Sequence, residues 1–229
     1  MPLEYAELRE SLIEAMRATL SSGVAAAELS NFSCADRTLG VFALRPPAIP
    51  IVELRPSDLP VLSLADGHVV VANSTPPSDA VVHLILYRHM PDIQAVAHVR
   101  SPYTTAWAQA GRDIPVLGSA HAQCFDGPIP AVRTSTPLSE TIEDTQIGAA
   151  IVRWFSDNHV DPLARPATLV ESHGAYTWGR TLTDALRCAA MLELIAMMAA
   201  WTIVLQPKAA AWPHDRVSAF FLRTHRPFP

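Results

Sequence analysis

The stretch AVAHVRSPYTTAWAQAG, residues 95–111, runs from a short apolar strand directly into a helix. Ile93 to Val99 is a compact apolar run of strand length, and Ser101-Pro102 supplies a cap and a proline at the first helical position. The helix then extends to Gly111. Side chains two apart on a strand share a face, so His98 and Arg100 emerge side by side where the strand ends. An imidazole can ligate a metal ion; a guanidinium has no lone pair to offer.

Upstream, Leu8, Leu12, Ile13, Met16 and Leu20 recur at helical spacing over residues 5–21, with Ser22-Gly23 as a stop. TLGVFAL at 38–44 reads as a strand. VLSL and HVVVAN flank Asp66-Gly67, a dipeptide suited to a tight antiparallel hairpin. Pro77-Ser78-Asp79 leads into AVVHLILYRHM, a helix to about Met90 with Ser78 or Asp79 as N-cap. Downstream, PIPAV at 128–132 reads as a strand, Leu138 to about Asn158 as a helix, and ATLVES as a buried strand ending near His173. The apolar run at 185–205 contains Arg187 and Glu193 and reads as a buried helix rather than a membrane span. No repeat or low-complexity linker divides the chain, so residues 1–229 are expected to form one domain.

The chain has 229 residues, 49% hydrophobic and 17% charged, with a formal net charge of −5 and a pI of about 6.0. That is enough apolar sequence for a substantial core. Without a cluster of Lys and Arg there is no electrostatic footprint for nucleic acid or an anionic membrane, which leaves a small molecule as the expected partner. Lys208 is the only lysine and lies in an apparent loop, which argues against Schiff-base chemistry. Cys34, Cys124 and Cys188 show no CxxC spacing, and the first residues form no apolar signal core, so a reducing cytoplasm is expected.

PSD, AHVRS, AWAQAG, GSAHAQCFDGPIP and ESHGAYTWG, in that order, resemble the class II aldolase/adducin family, and most closely its L-ribulose-5-phosphate 4-epimerase branch. The resemblance covers nearly the whole chain. It implies an α/β/α sandwich around a central, mostly antiparallel β-sheet, and homotetramers with active sites between subunits. It also implies a divalent metal, held by an HxH pair, a later histidine and an acidic residue, that stabilises an enediolate. His98 and His173 match the first and last histidines and Asp79 the acidic position, so Asp79, His98 and His173 are the candidate metal set, for Zn, Mn or Fe. Arg100 stands where the second histidine belongs. A metal-free site is therefore the alternative.

Other segments also depart from the family pattern. Where its phosphate loops resemble GNxS, a KPSG-like turn and SSD, this chain has Ser30-Asn31-Phe32-Ser33, Arg45-Pro46-Pro47-Ala48 and Pro77-Ser78-Asp79. Pro47 and Pro77 have no N–H for a phosphate oxygen, and Ala48 resists conformations open to glycine. Gln123 replaces a catalytic Asp and cannot carry a proton at neutral pH. Phe220 replaces a histidine, and the chain stops before the family's tyrosine.

By position in these segments, Asp79, Arg100, His121 and Gln123 are the catalytic candidates, and Asn31, Arg45, Ser78, Ser119 and Arg223 the substrate-binding ones. Arg100 either grips a substrate carboxylate and stabilises an enolate, or pairs structurally with Asp79. Asp79 is either a metal ligand or only a helix cap. His121 is either an acid/base or a supporting group, and His83, His89 and His159 are expected to be surface or satisfied core groups.

The leading expectation is a diverged carbon–carbon lyase, retro-aldol or decarboxylating, for a non-phosphorylated carboxylate or small anion. The alternatives are a non-haem iron oxygenase using Asp79, His98 and His173, and an inactive adducin-like binding protein.

Overall fold

The computed structural model describes residues 5–21, 30–134 and 143–225. Eight strands form a single sheet: β1 (Asn31–Asp36), β2 (Val41–Leu44), β3 (Val61–Ser63), β4 (Val69–Val71), β5 (Ala95–Val99), β6 (Ala131–Val132), β7 (Ala167–Val170) and β8 (Gly174–Gly179). Their spatial order is β4-β3-β2-β1-β5-β8-β7-β6, and every pair is antiparallel except β6 with β7. Among the described residues seven helices accompany the sheet: α1 (Ala6–Ser21), α2 (Ala80–His89), α3 (Pro102–Gln109), α4 (Ser119–Cys124), α5 (Glu143–Asp157), α6 (Leu182–Leu205) and α7 (His214–His225).

Strand alternation divides the core into two layers. Phe42, Leu44, Val96, Tyr176 and Trp178 face α2 and α5, where they meet Leu86, Tyr87, Ile147 and Ile151. Phe32, Val41, Ala97, Val99 and Ala175 point the other way, toward Leu12, Met16, Trp107 and Ile195 of α1, α3 and α6. The result is the expected α/β/α sandwich. The Asp66-Gly67 hairpin forms as read, with Gly67 at φ +79° and its N–H on the Ser63 carbonyl.

Several boundaries and elements differ from the sequence reading. The strand expected at 38–44 begins at Val41, because residues 37–40 form the turn from β1. Ser22-Gly23 and residues 138–142 lie outside the described residues. β1, β8, α4 and α7 were not anticipated. In β1 the polar Asn31 and Ser33 share the face of Ala35, which breaks the apolar alternation that marks a strand. β8, GAYTWG, is buried at every position and bounded by glycines, so it carries no period-two signal.

Helix α6 is long and apolar enough to cross a membrane by length and composition. Here one face packs on β5, β8 and α3. Glu193 explains the charge within its apolar run. The carboxylate accepts hydrogen bonds from the Tyr103 N–H (2.9 Å), the Thr104 N–H (2.9 Å) and the Ser101 hydroxyl (2.6 Å), and so occupies the N-terminus of α3. Trp107 adds an indole N–H to the Ala196 carbonyl at 3.0 Å. Together these bonds pin the β5–α3 turn, which carries Arg100, to α6.

Replacing Glu193 by Ala strands two helix-end donors and is expected to cost about 1–3 kcal/mol of stability. Urea unfolding measures this. An unchanged midpoint would mean that the turn does not depend on this carboxylate.

Candidate functional site

The site is built on a cross-strand row. Asn31 lies opposite His98, and His98 opposite Tyr176, on the sheet face covered by α2. Asp79, at the start of α2, reaches into this row. Its Oδ2 accepts hydrogen bonds from the Asn31 amide and from His98 Nδ1, both at 2.8 Å. It occupies the N-cap position of α2 but makes no side-chain cap bond, because its carboxylate is turned toward the sheet.

His98 is itself one of three stacked rings. His98 stacks against His173 (centroids 4.7 Å, planes 13° apart) and against Tyr176 (4.5 Å, 14°). His173 and Tyr176 are within 2° of parallel and share a 3.3 Å hydrogen bond between Tyr176 Oη and His173 Nε2. His173 is half-buried at the opening, whereas His98 and Tyr176 are fully buried. At Gly174 (φ +154°) a Cβ would come within 3.1 Å of the Val99 carbonyl and 3.2 Å of His98 Nε2, so the chain passes His98 as closely as it does because this residue is glycine.

Burial sets the protonation states. It is the largest influence on His98 and pushes its pKa down to about 4, against the raising effect of Asp79. Burial would raise Asp79, but the bond from His98, the neighbouring His83 and His98 imidazoles and the bond from Asn31 together outweigh it and hold the carboxyl below the usual carboxylate range. An ionised Asp79 only accepts, so His98 carries its proton on Nδ1 and leaves Nε2 bare. Nε2 has no hydrogen-bond partner.

His83, expected to be a surface or satisfied core group, belongs to this site. It lies one helical turn after Asp79, fully buried, with Nε2 3.9 Å from Asp79 Oδ2 and without a hydrogen bond. Its Nδ1 meets Ser33 Oγ at 2.7 Å, and Ser33 meets the Tyr87 hydroxyl at 2.6 Å. Serine, histidine and aspartate thus follow one another in space, but Ser33 is 0% exposed, so no substrate reaches a nucleophile there. The i, i+4 spacing of Asp79 and His83 was a usable signal; nothing local marked Ser33, Tyr87 or Tyr176.

Arg100 is exposed just beyond β5, and its charge acts on His98. Among the described residues it has no carboxylate partner. The structural pairing with Asp79 does not form, because Asp79 is engaged by Asn31 and His98. Asn31 orients Asp79, and Ser78 is exposed beside it. Arg45 is 3% exposed and donates to the carbonyls of Ser30 and Ile49, so its guanidinium shapes the loop around β1 rather than receiving a ligand.

The remaining candidates are elsewhere. Gln123 lines a cavity of about 640 Å³ with Gly179, Arg180, Arg187 and Thr224. Gly179 is at the end of β8 opposite Gly174, roughly 16 Å away by strand rise. Ser119 opens α4, and His121, buried on that helix, is bonded to the Gly127 carbonyl at 3.0 Å, which suits a supporting group. Arg223 lies over the Phe220 ring on α7. A single chain therefore does not bring Gln123, His121, Ser119 or Arg223 to Asp79 and His98.

The implied divalent metal does not fit this arrangement. An imidazole binds a metal along a lone pair in its ring plane, and the nearly parallel planes of His98 and His173 do not meet on one ion. Among the described residues no three His, Cys, Asp or Glu side chains are placed to share one.

The chain matches the family described as Class II Aldolase and Adducin N-terminal domain over residues 10–200. The L-ribulose-5-phosphate 4-epimerases UlaF of Salmonella paratyphi B and Salmonella paratyphi C are each 31% identical over 222 residues, covering 96% of this chain and 96% of the relative. Two solved structures share the fold. An L-fuculose 1-phosphate aldolase has a TM-score of 0.81 at 19% identity, over 96% of this chain and 97% of its own. YgbL from Klebsiella pneumoniae has a TM-score of 0.74 at 23% identity, over 93% and 97%.

The folded pKa of His98 lies below its unfolded value, so its contribution is full above pH about 6.5 and is lost as pH falls toward 4. Asp79 contributes in the same direction at lower pH. Stability measured in urea should therefore decline between pH 6.5 and 4, and less steeply in His98→Gln. Equal slopes in the two proteins would contradict the buried neutral imidazole.

Proposed function

The chain belongs to the class II aldolase and adducin family, and from that premise we propose a carbon–carbon lyase that acts on a small, non-phosphorylated carboxylate. One observation carries this. Arg100 is an exposed cation, with no carboxylate partner among the described residues, one residue beyond the strand that holds His98 against Asp79. A planar guanidinium receives a carboxylate by two parallel hydrogen bonds and can face the negative charge of an enolate.

In a retro-aldol reaction the substrate hydroxyl loses its proton to a base. The bond to the neighbouring carbon then breaks, and its electron pair becomes an enolate facing Arg100. Protonation of that carbon completes the step. In a decarboxylation the same electron pair is left behind as CO2 departs.

The phosphate loops support a non-phosphorylated substrate. Pro47 and Pro77 lack N–H donors, and Arg45 is committed to backbone carbonyls. The relatives named for L-ribulose 5-phosphate and L-fuculose 1-phosphate would thus differ from this chain in substrate. An iron oxygenase is not favoured, since it needs two histidines and a carboxylate converging on one ion.

We also propose a homotetramer in a reducing cytoplasm, with the Gln123 and Arg223 end of one copy completing the Asp79–His98 end of the next. The exposed apolar row Leu194, Met198, Trp201 and Leu205 on α6 supports association.

The main test is calorimetry with a panel of hydroxy and aromatic carboxylic acids. Arg100→Ala should weaken the best ligand by about 10- to 100-fold, as expected for a lost charge-assisted contact of roughly 1.5–3 kcal/mol. L-ribulose 5-phosphate and L-fuculose 1-phosphate should show no micromolar binding. Micromolar sugar-phosphate affinity, or unchanged carboxylate affinity in Arg100→Ala, would remove this assignment. Light scattering should report an oligomer at low micromolar concentration; a stable monomer would end the shared-site proposal.

A further inference from the structure

Whether Arg100 grips a carboxylate is independent of how Asp79, His98 and His173 are used. We infer that Asp79 and His98 form a hydrogen-bonded pair that positions His173 as the proton-carrying residue of the pocket, and that the three do not share a divalent metal ion.

Three features point this way. First, the ring planes of His98 and His173 run alongside one another, 13° apart with centroids at 4.7 Å, so their in-plane lone pairs do not converge. Second, Asp79 Oδ2 takes two donors at 2.8 Å, one of them His98 itself, which turns the carboxylate to the sheet, while Oδ1 has no hydrogen-bond partner. That bond is the kind that fixes an imidazole's tautomer and orientation. Third, the permanent cation Arg100 acts on His98, and a dication placed beside it would be repelled.

The same stack suits proton transfer at His173. This ring is the half-buried one, and Tyr176, bonded to its Nε2, holds it in plane. His98 lies across both rings, with its Nδ1 edge anchored to Asp79. When His173 accepts a proton from a substrate O–H, the O–H electron pair forms the new C=O, the neighbouring C–C bond breaks, and its pair is left on the product carbon as the enolate. The imidazolium charge then forms over the face of a neutral ring whose far edge holds a carboxylate. The proton is returned to the product carbon, so no oxidant, reductant or further reactant is needed.

The test reads metal binding and tautomer directly. The full chain, stripped with chelator, is titrated with Zn²⁺ and separately with Mn²⁺ by calorimetry. Expected is no uptake tighter than about 0.1 mM that depends on His98 or His173, where a built zinc site binds in the nanomolar range or tighter. Stoichiometric binding that is lost in His98→Ala and in His173→Ala overturns the inference; binding that survives in both lies elsewhere and leaves it standing.

Imidazole ¹⁵N spectra of the same protein at neutral pH should place the His98 proton on Nδ1. In Asp79→Asn that tautomer should be lost and the His173 resonances should shift. A His98 proton on Nε2, or a His173 ring unmoved in a folded Asp79→Asn, rejects the positioning role. Metal uptake at these residues would leave the Arg100–carboxylate assignment intact, and failure of Arg100→Ala to weaken a carboxylate would leave the Asp79–His98 pair intact.

Discussion

The Asp79 carboxylate joins the first turn of α2 to the two central strands β1 and β5 through Asn31 and His98. A buried negative charge is costly unless donors reach it; Oδ1 has no hydrogen-bond partner, so the charge rests on the two donors at Oδ2, and both come from the sheet. This requirement sets the position of α2 over the sheet. It also orients the His98 ring, and through that ring the platform on which His173 rests. The same bond turns Asp79 away from its helix-capping role, so one carboxylate serves the tertiary structure at the expense of a local one.

The β5–α3 turn is held from the opposite layer. Glu193 fills the α3 N-terminus with its own charge, which leaves no open helix end there for a substrate anion. With Pro47 and Pro77 unable to donate and Arg45 committed to carbonyls, Arg100 is the residue proposed to recognise an anion at this end of the sheet. The two sides of the sandwich thus have distinct duties: α2 orders the imidazoles, and α6 holds the turn from which the guanidinium projects.

The segments that resemble an active site divide between the two ends of β8. Asp79, His98 and His173 gather near Gly174, while Gln123 lines the cavity near Gly179. Strands are rigid rods on this scale, and no side chain spans roughly 16 Å of strand. Association of copies is what would bring the two groups together, and the apolar row along α6 offers a surface for it.

Much of this protein was legible in its sequence. Helical spacing located α1, α2 and α3, the Asp-Gly dipeptide located the β3–β4 hairpin, and the order of motifs led to the sandwich and to Asp79, His98 and His173. These are local signals, written in periods of two and 3.6 residues and in turn chemistry. β1 and β8 were hidden because a strand buried on both faces, or one with polar residues turned toward a site, loses its period. The roles of His83, Ser33, Tyr176 and Glu193 arise from contacts between residues far apart in the chain, which no local pattern encodes. Only the tertiary structure decided that Asp79 bonds to His98 rather than to Arg100, and that His98 and His173 stack instead of converging. Ring orientation is set by packing and by the partners that burial leaves available, and those exist only once the sheet has formed.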